Sequence, residues 1–307
     1  MQTIIGANGA IAQELSKHLI NYTDKIRQVS RNPKRVHETD ELVSADLLNF
    51  DQTQKAVEGS DVVYLVAGLK YETLTWQEQW PKVMKHAIDA CKKHNSKLVF
   101  FDNVYPYGLV NGVMTESTPF NPNSKKGEVR AKIAMQLLDE MKAGNLQAMI
   151  VRAADFYGPQ VITSVTHAMV TERIRAKKAP QWIGDQKKNH SFTYTPDAGK
   201  CVAMLGNTPS AYQQTWHALT SMERMTGEEY IRIACQLADQ PFKVQALPKW
   251  GVRMMGLFVP VLREFIEMMY QYENDYYFDS SKFQKAFTIS ATTYREGIAE
   301  TLNIATD

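Results

Sequence analysis

Several short stretches of this chain combine residue types and spacings that could do chemistry. The first is Ile4-Ile5-Gly6-Ala7-Asn8-Gly9-Ala10-Ile11-Ala12, an apolar strand that turns sharply into a helix. Such a junction aims backbone N–H groups and the positive end of a helix dipole at one spot, where a pyrophosphate is the usual occupant. Gly6 permits the tight turn, Gly9 lets a ligand approach with no Cβ in the way, and Ala12 keeps the helix close to the strand. A second stretch is Arg31-Asn32-Pro33-Lys34-Arg35, at the end of a strand predicted over Lys25–Ser30. A carboxylate there would accept hydrogen bonds from a free ribose 2′-hydroxyl, whereas a cation pairs with a 2′-phosphate. Arg31 leads a basic cluster with no acidic residue, so the expected cofactor is NADP(H), with NAD(H) second. Further on, Ala67-Gly68 and Asp102-Asn103-Val104-Tyr105-Pro106-Tyr107-Gly108 each follow an apolar run. Ligands bind at the carboxyl ends of parallel strands. There Asn103 could hydrogen-bond a carbonyl oxygen, and Tyr105 or Tyr107 could present a phenol.

These stretches need a scaffold that brings strand ends together, and the periodicity supplies one. Strands are predicted at 42–47, 61–66, 97–101 and 148–152, with apolar helical faces between them. Examples are Ile11, Leu15 and Leu19, then Trp76, Trp80, Met84, Ala87 and Cys91, then Val129, Ile133, Leu137 and Met141. Strand and helix alternate, which specifies an α/β fold: a Rossmann-type doubly wound parallel sheet with helices on both faces. The expected dinucleotide-binding domain covers 1–154 and 191–206. A smaller, mainly helical substrate lobe covers 155–190 and 207–307. Trp182, His190, Phe192, Arg253, Arg263 and the aromatic run from Tyr270 to Phe278 could set its specificity, although most of them read as core. Met254-Met255 and Met268-Met269 suggest an adaptable apolar surface, either a pocket wall or the contact of a homodimer.

Bulk composition narrows the function class. The 307 residues carry a formal net charge of +2, with 44% hydrophobic and 22% charged residues, which gives no electrostatic reason to expect nucleic acid or membrane as a partner. A small-molecule substrate is the default. Cys91, Cys201 and Cys235 are far apart and fit a reducing compartment, no His, Cys or carboxylate spacing resembles a metal site, and no targeting leader precedes the first strand. The apolar stretch 251–266 is broken by Arg253, Pro260 and Arg263, so the expected location is cytoplasmic.

The G-x-x-G-x-x-A spacing at Gly6 resembles the short-chain dehydrogenase/reductase superfamily, especially its extended and atypical branches. The stretch Val151-Arg152-Ala153-Ala154-Asp155-Phe156-Tyr157-Gly158-Pro159 is similar to the arginine-to-tyrosine-glycine-proline signature after the sixth strand, and Phe192 to Gly199 to the strand-to-helix return. The chain thus resembles the NAD-dependent epimerase/dehydratase family. That resemblance implies that Gly6, Asn8, Gly9, Ala10, Ile11, Arg31, Asp46, Leu47, Ala67 and Gly68 bind the cofactor, with Asp46-Leu47 beside its adenine. It also implies a catalytic serine, tyrosine and lysine, the lysine four residues after the tyrosine so that it lowers the phenol's pKa. Laid on that pattern, Asn103 stands at the serine, Glu128 at the tyrosine and Lys132 at the lysine, and none of the fourteen tyrosines has a lysine four residues later. Lys132 would then hold the nicotinamide ribose, while Tyr105 or Tyr107 supplies the proton. The expected activity is oxidoreduction or epimerisation at a carbonyl or secondary alcohol. The alternative is a catalytically silent NADP(H)-binding redox sensor or regulator.

Overall fold

Apolar runs too short for helices and flanked by glycine or polar turns become the strands of one sheet, and the amphipathic segments between them cover it. The computed structural model describes residues 1–305. In chain order, β1 (Gln2–Ile5), α1 (Ala10–Leu19), β2 (Ile26–Ser30), β3 (Glu41–Ser44), α2 (Phe50–Val57), β4 (Val62–Leu65), α3 (Thr73–His94) and β5 (Lys97–Asn103) open the chain. A short strand β6 (Val113–Met114) precedes α4 (Lys125–Lys142) and β7 (Ala148–Ala153). Next come β8 (Asp155–Tyr157), α5 (Glu172–Arg175), β9 (Gln181–Ile183), β10 (Phe192–Tyr194), α6 (Thr195–Gly206) and β11 (Thr215–His217). The chain closes with α7 (Gly227–Leu237), β12 (Gln245–Leu247), α8 (Lys249–Gly256), α9 (Pro260–Phe265), α10 (Tyr270–Glu273), β13 (Tyr277–Phe278), α11 (Ser281–Phe287) and α12 (Tyr294–Leu302).

Seven strands pair in parallel in the order β11-β7-β5-β4-β1-β2-β3. From β1 the chain winds outward through β2 and β3, then returns to β4 on the other flank of β1. The strand order therefore reverses between β1 and β4, the crevice where such sheets bind ligands. Every residue of β1 and β4 is buried, as strands covered on both faces require. The predicted apolar faces of α1 and α3 are the buried ones, and Cys91, Cys201 and Cys235 are buried and free. Burial pushes the Cys91 thiol well above its ordinary range, so it behaves as a small hydrophobe.

The chain divides into two units. The first comprises Met1–Pro106, Lys125–Ala153 and Ala198–Ala218, and the second Tyr107–Ser124, Ala154–Asp197 and the chain from Leu219 onward. This differs from the division expected from sequence at 107–124, at 207–218 and at 191–197, the last expected in the first unit and found in the second, where β10 pairs with β8. Three residues, Thr215–His217, are too short for periodicity to reveal as a strand, yet they pair with β7 and extend the first unit to residue 218. Tyr107–Ser124 belongs to the second unit because β6 pairs with β13 there.

The second unit is less purely helical than expected, with parallel pairs β8–β10, β9–β12 and β6–β13. Its aromatic core gathers Tyr157, Phe192, Tyr194, Tyr230 and Tyr294. Trp182, His190 and Phe192 are buried, with His190 stacked between Tyr272 and Tyr276 at centroid distances of 4.5 and 4.4 Å and its Nε2 2.9 Å from an Asp155 carboxylate oxygen. Those residues are core, as the composition of the run suggested.

Candidate active site

The glycine turn sits where β1 leaves the sheet. Gly6 adopts φ +105°, and a Cβ there would lie 2.4 Å from the backbone of Ala67, so its lack of a side chain lets the exits of β1 and β4 meet. Gly9 is different. As N-cap of α1 it has an ordinary φ of −68°, and a Cβ would meet only the Gly6 carbonyl oxygen at 3.4 Å. Nothing within the protein demands a glycine there. The helix start also carries no side-chain cap and no acidic residue in its first turn. An uncapped dipole end facing space that a side chain would fill is the cradle an anionic pyrophosphate fits. Gly9→Val should therefore keep its fold by circular dichroism and lose dinucleotide affinity by calorimetry, and unchanged affinity would place the cofactor elsewhere.

Asn8 takes the left-handed conformation at φ +77° and ties two loops together. Its side-chain oxygen accepts from the Lys34 amide at 2.9 Å, and its Nδ2 donates to the Asn32 carbonyl at 2.7 Å. The turn after β1 thus fixes the loop after β2, where Arg31 and Lys34 are exposed. Arg35 is used otherwise: its guanidinium donates to the Glu38 and Asp40 carbonyls and folds the loop. Asp46 is exposed and shapes the next turn, accepting from the Leu48 amide at 3.0 Å, while the Leu47 carbonyl accepts from His86 Nδ1 at 2.8 Å.

Of the predicted proton-handling residues, Asn103 and Tyr105 meet at the exit of β5. Tyr107 belongs to the second unit, is 1% exposed and packs 6.2 Å from Phe120. Tyr105 is half-buried in the first unit, stacked 6.1 Å from Trp76, and its amide donates to Asn103 Oδ1 at 3.0 Å. Glu128 and Lys132 are both exposed and form no ion pair with each other. The inward face of α4 carries Lys126, Val129, Arg130, Ile133 and Leu137. The expected register is therefore off by two residues. At one turn per 3.6 residues, positions 128 and 132 fall opposite positions 126 and 130, so the residues four apart that face inward are Lys126 and Arg130.

Lys126 is 0% exposed. Its Nζ donates to Thr73 Oγ1 at 2.9 Å and lies 4.7 Å from the ring centroid of Tyr71. The Tyr71 ring meets Trp76 edge-on at 5.6 Å, and Trp76 stacks on Tyr105. A single cluster thus joins Lys126 to the segments that leave β4 and β5. Arg130 lies deeper. Its Nε is 2.7 Å from Asp102 Oδ1, and its guanidinium carbon lies 4.4 Å from the Trp80 ring and 4.9 Å from Phe100. Asp102 also accepts Arg152 Nε at 3.2 Å, from the residue directly opposite it across the β5–β7 pair. Arg152, the arginine of the Tyr-Gly-Pro signature, therefore balances a buried carboxylate.

A family model matches residues 3–216. The chain belongs to the NAD dependent epimerase/dehydratase family. Among solved structures of this fold, UDP-glucuronic acid 4-epimerase from Bacillus cereus in complex with NAD superposes with a TM-score of 0.80 at 16% identity, covering 99% of this chain and 98% of that one. The dTDP-glucose 4,6-dehydratase of Bacillus anthracis in complex with NAD gives 0.81 at 16% identity, covering 98% and 95%. UDP-glucose 4-epimerase from Thermus thermophilus with NAD gives 0.78 at 15%, covering 99% and 98%. A curated relative, 3beta-hydroxysteroid-dehydrogenase/decarboxylase isoform 2 of Arabidopsis thaliana, is 23% identical over 209 residues. That match takes in 62% of this chain and 36% of the relative, so this epimerase/dehydratase-family chain spans about a third of that protein.

Proposed function

We propose that the protein is a nicotinamide-dinucleotide-dependent enzyme acting at a carbonyl or secondary alcohol of a small molecule, with NADP(H) preferred. The observation that carries this reading is the uncapped start of α1 behind Gly9, placed where strand order reverses and joined by Lys126 at the neighbouring strand exits. The names of the relatives, epimerases and dehydratases of nucleotide sugars and a hydroxysteroid dehydrogenase, have the alcohol or carbonyl as their common chemical denominator.

Residues that would hold the dinucleotide are Gly6, Asn8, Gly9, Ala10 and Ile11 at the pyrophosphate, Arg31 at the 2′-phosphate, Asp46 and Leu47 at the adenine, and Ala67 and Gly68 at the β4 exit. When bound, the cofactor supplies hydride exchange. The chain's own residues must supply the proton and the hydrogen bonds. The buried cation among these groups is the Lys126 ammonium, which donates to Thr73 and lies over the Tyr71 ring. On this reading Lys126 passes a proton to or from the substrate oxygen. Asn103, whose oxygen is engaged by the Tyr105 amide, offers its NH2 to that same oxygen, and the Tyr105 phenol stands as the other donor within reach of the cluster.

Arg31 decides the cofactor preference. A charge-assisted phosphate contact is worth about 1.5–3 kcal/mol, roughly ten- to a hundredfold in affinity. NADPH should bind tighter than NADH by that factor in fluorescence titration, and Arg31→Ala should narrow the gap; equal or tighter NADH binding would refute the preference.

One observation favours a second reading. The Arg130 guanidinium is enclosed by Asp102, Trp80 and Phe100, so it is not free to grip ribose hydroxyls as the family's lysine would. A dinucleotide-binding regulator without turnover would need no such grip. Measuring NADPH oxidation across aldehydes, ketones, quinones and nucleotide sugars separates the two, since tight binding with no turnover on any of them assigns the regulator.

A further inference from the structure

Helices α8 and α9 form a hairpin that is apolar on both sides. Its inner side packs into the second unit: Val252 is buried against Ile183 and Met269, with Leu262, Phe265 and Ile266 alongside. Gly256 brings the two helices together, since a Cβ there would lie 3.2 Å from the Arg263 amide nitrogen. The outer side has no such cover. Trp250, Met254 and Leu257 follow one another at i, i+4 and i+7 on α8, and Phe258 and Val261 continue the patch around the turn. Exposure reaches 72% at Trp250, 73% at Leu257 and 85% at Phe258. The turn itself is ordered by backbone hydrogen bonds from the amides of Leu257, Phe258 and Val259 to the carbonyls of Met254 and Met255. A contiguous patch of this kind marks an interaction surface.

Charge identifies the partner. Residues 240–265 contain Lys243, Lys249, Arg253 and Arg263 against a single carboxylate, Glu264 on α9. Arg253 and Arg263 are exposed on the hairpin, and Lys249 is held by Glu273 at 2.9 Å. An apolar tip with a tryptophan on its flank and cations around it matches the two layers of an anionic bilayer surface, acyl boundary and headgroups. No helix of the described residues is long and apolar enough to cross a membrane, so the contact would be interfacial. We propose that the 249–263 hairpin seats the protein on anionic lipid, with Leu257 and Phe258 inserted below the headgroups and Arg253 and Arg263 among them.

Trp250 is a built-in reporter, because the other four tryptophans are 7% exposed or less. The full chain should float with vesicles of phosphatidylglycerol and phosphatidylcholine and not with phosphatidylcholine alone, with a blue-shifted Trp250 emission quenched by bromine-labelled lipid. Leu257→Asp with Phe258→Asp should weaken binding at least tenfold, and Arg253→Gln and Arg263→Gln by about fivefold for each charge removed. All these side chains are exposed, so dinucleotide affinity should stay at the wild-type value. Absence of flotation, flotation without quenching, or variants that float like wild type would overturn the proposal. So would a lipid-free dimer in sedimentation that Phe258→Asp dissociates, which would assign the patch to a second copy.

Discussion

Asp102→Asn should lower the unfolding free energy by about 3–5 kcal/mol, because it removes the buried carboxylate that both core guanidiniums contact. The Asp102 side chain is 0% exposed, Arg152 2% and Arg130 4%. Water cannot reach the site to solvate either arginine, and burying an uncompensated charge is among the largest penalties a single substitution imposes. The measurement is the urea midpoint at constant m-value. A control separates charge from shape: Asp102→Leu combined with Arg130→Met and Arg152→Met removes the whole network and should recover most of the loss, as apolar replacement of buried ion clusters often does. An unchanged midpoint in Asp102→Asn would mean that the arginines are compensated by groups other than this carboxylate.

Lys126→Met should lower turnover by about 10²–10⁴, the usual cost of losing a general acid or base, and leave the NADPH dissociation constant within a few-fold. The split between rate and affinity matters because Lys126 is carried by α4, whereas the pyrophosphate would rest on the glycine turn at the start of α1. Methionine keeps an apolar stem of similar length and deletes the ammonium, with its contacts to the Tyr71 ring and Thr73. Tyr105→Phe is the paired test. Turnover that survives Lys126→Met and fails in Tyr105→Phe would return the proton to the phenol. Lys132→Ala should change neither quantity, since that side chain faces solvent.

Much of the first unit was legible because its strands are apolar runs and its helices have clean apolar faces. The glycine turn could be read because backbone geometry leaves a mark in residue type: Gly6 must be glycine for its φ and its contact with Ala67. The register of α4 was not legible from motif spacing. Placing Glu128 and Lys132 on the tyrosine–lysine pattern satisfied the sequence offset and ignored which face is buried, whereas Ile133, Leu137 and Met141 already define that face and put Lys126 and Arg130 on it. A sign of the buried charge network was present as well. Asp102 follows two phenylalanines and Arg152 stands inside Met-Ile-Val-Arg-Ala, so each was a charge in an apolar strand that needed a partner. What could not be read was that the two strands are neighbours in register, a fact of sheet order.

The Asn8 latch bears on how a protein of this build could change its cofactor. The loop that would read the 2′ position is not a free-standing module, because Asn32 and Lys34 are held by a side chain from the preceding strand's turn. Because the latch's partners are the Asn32 carbonyl and the Lys34 amide, residues 31–34 can be exchanged only for a loop that keeps the backbone path bringing those two groups to Asn8. A loop of another length, or a proline at 34, would disturb the glycine turn along with the ribose end. Specificity and grip are thereby inherited together. A successful transplant must carry the asparagine and the loop as one piece.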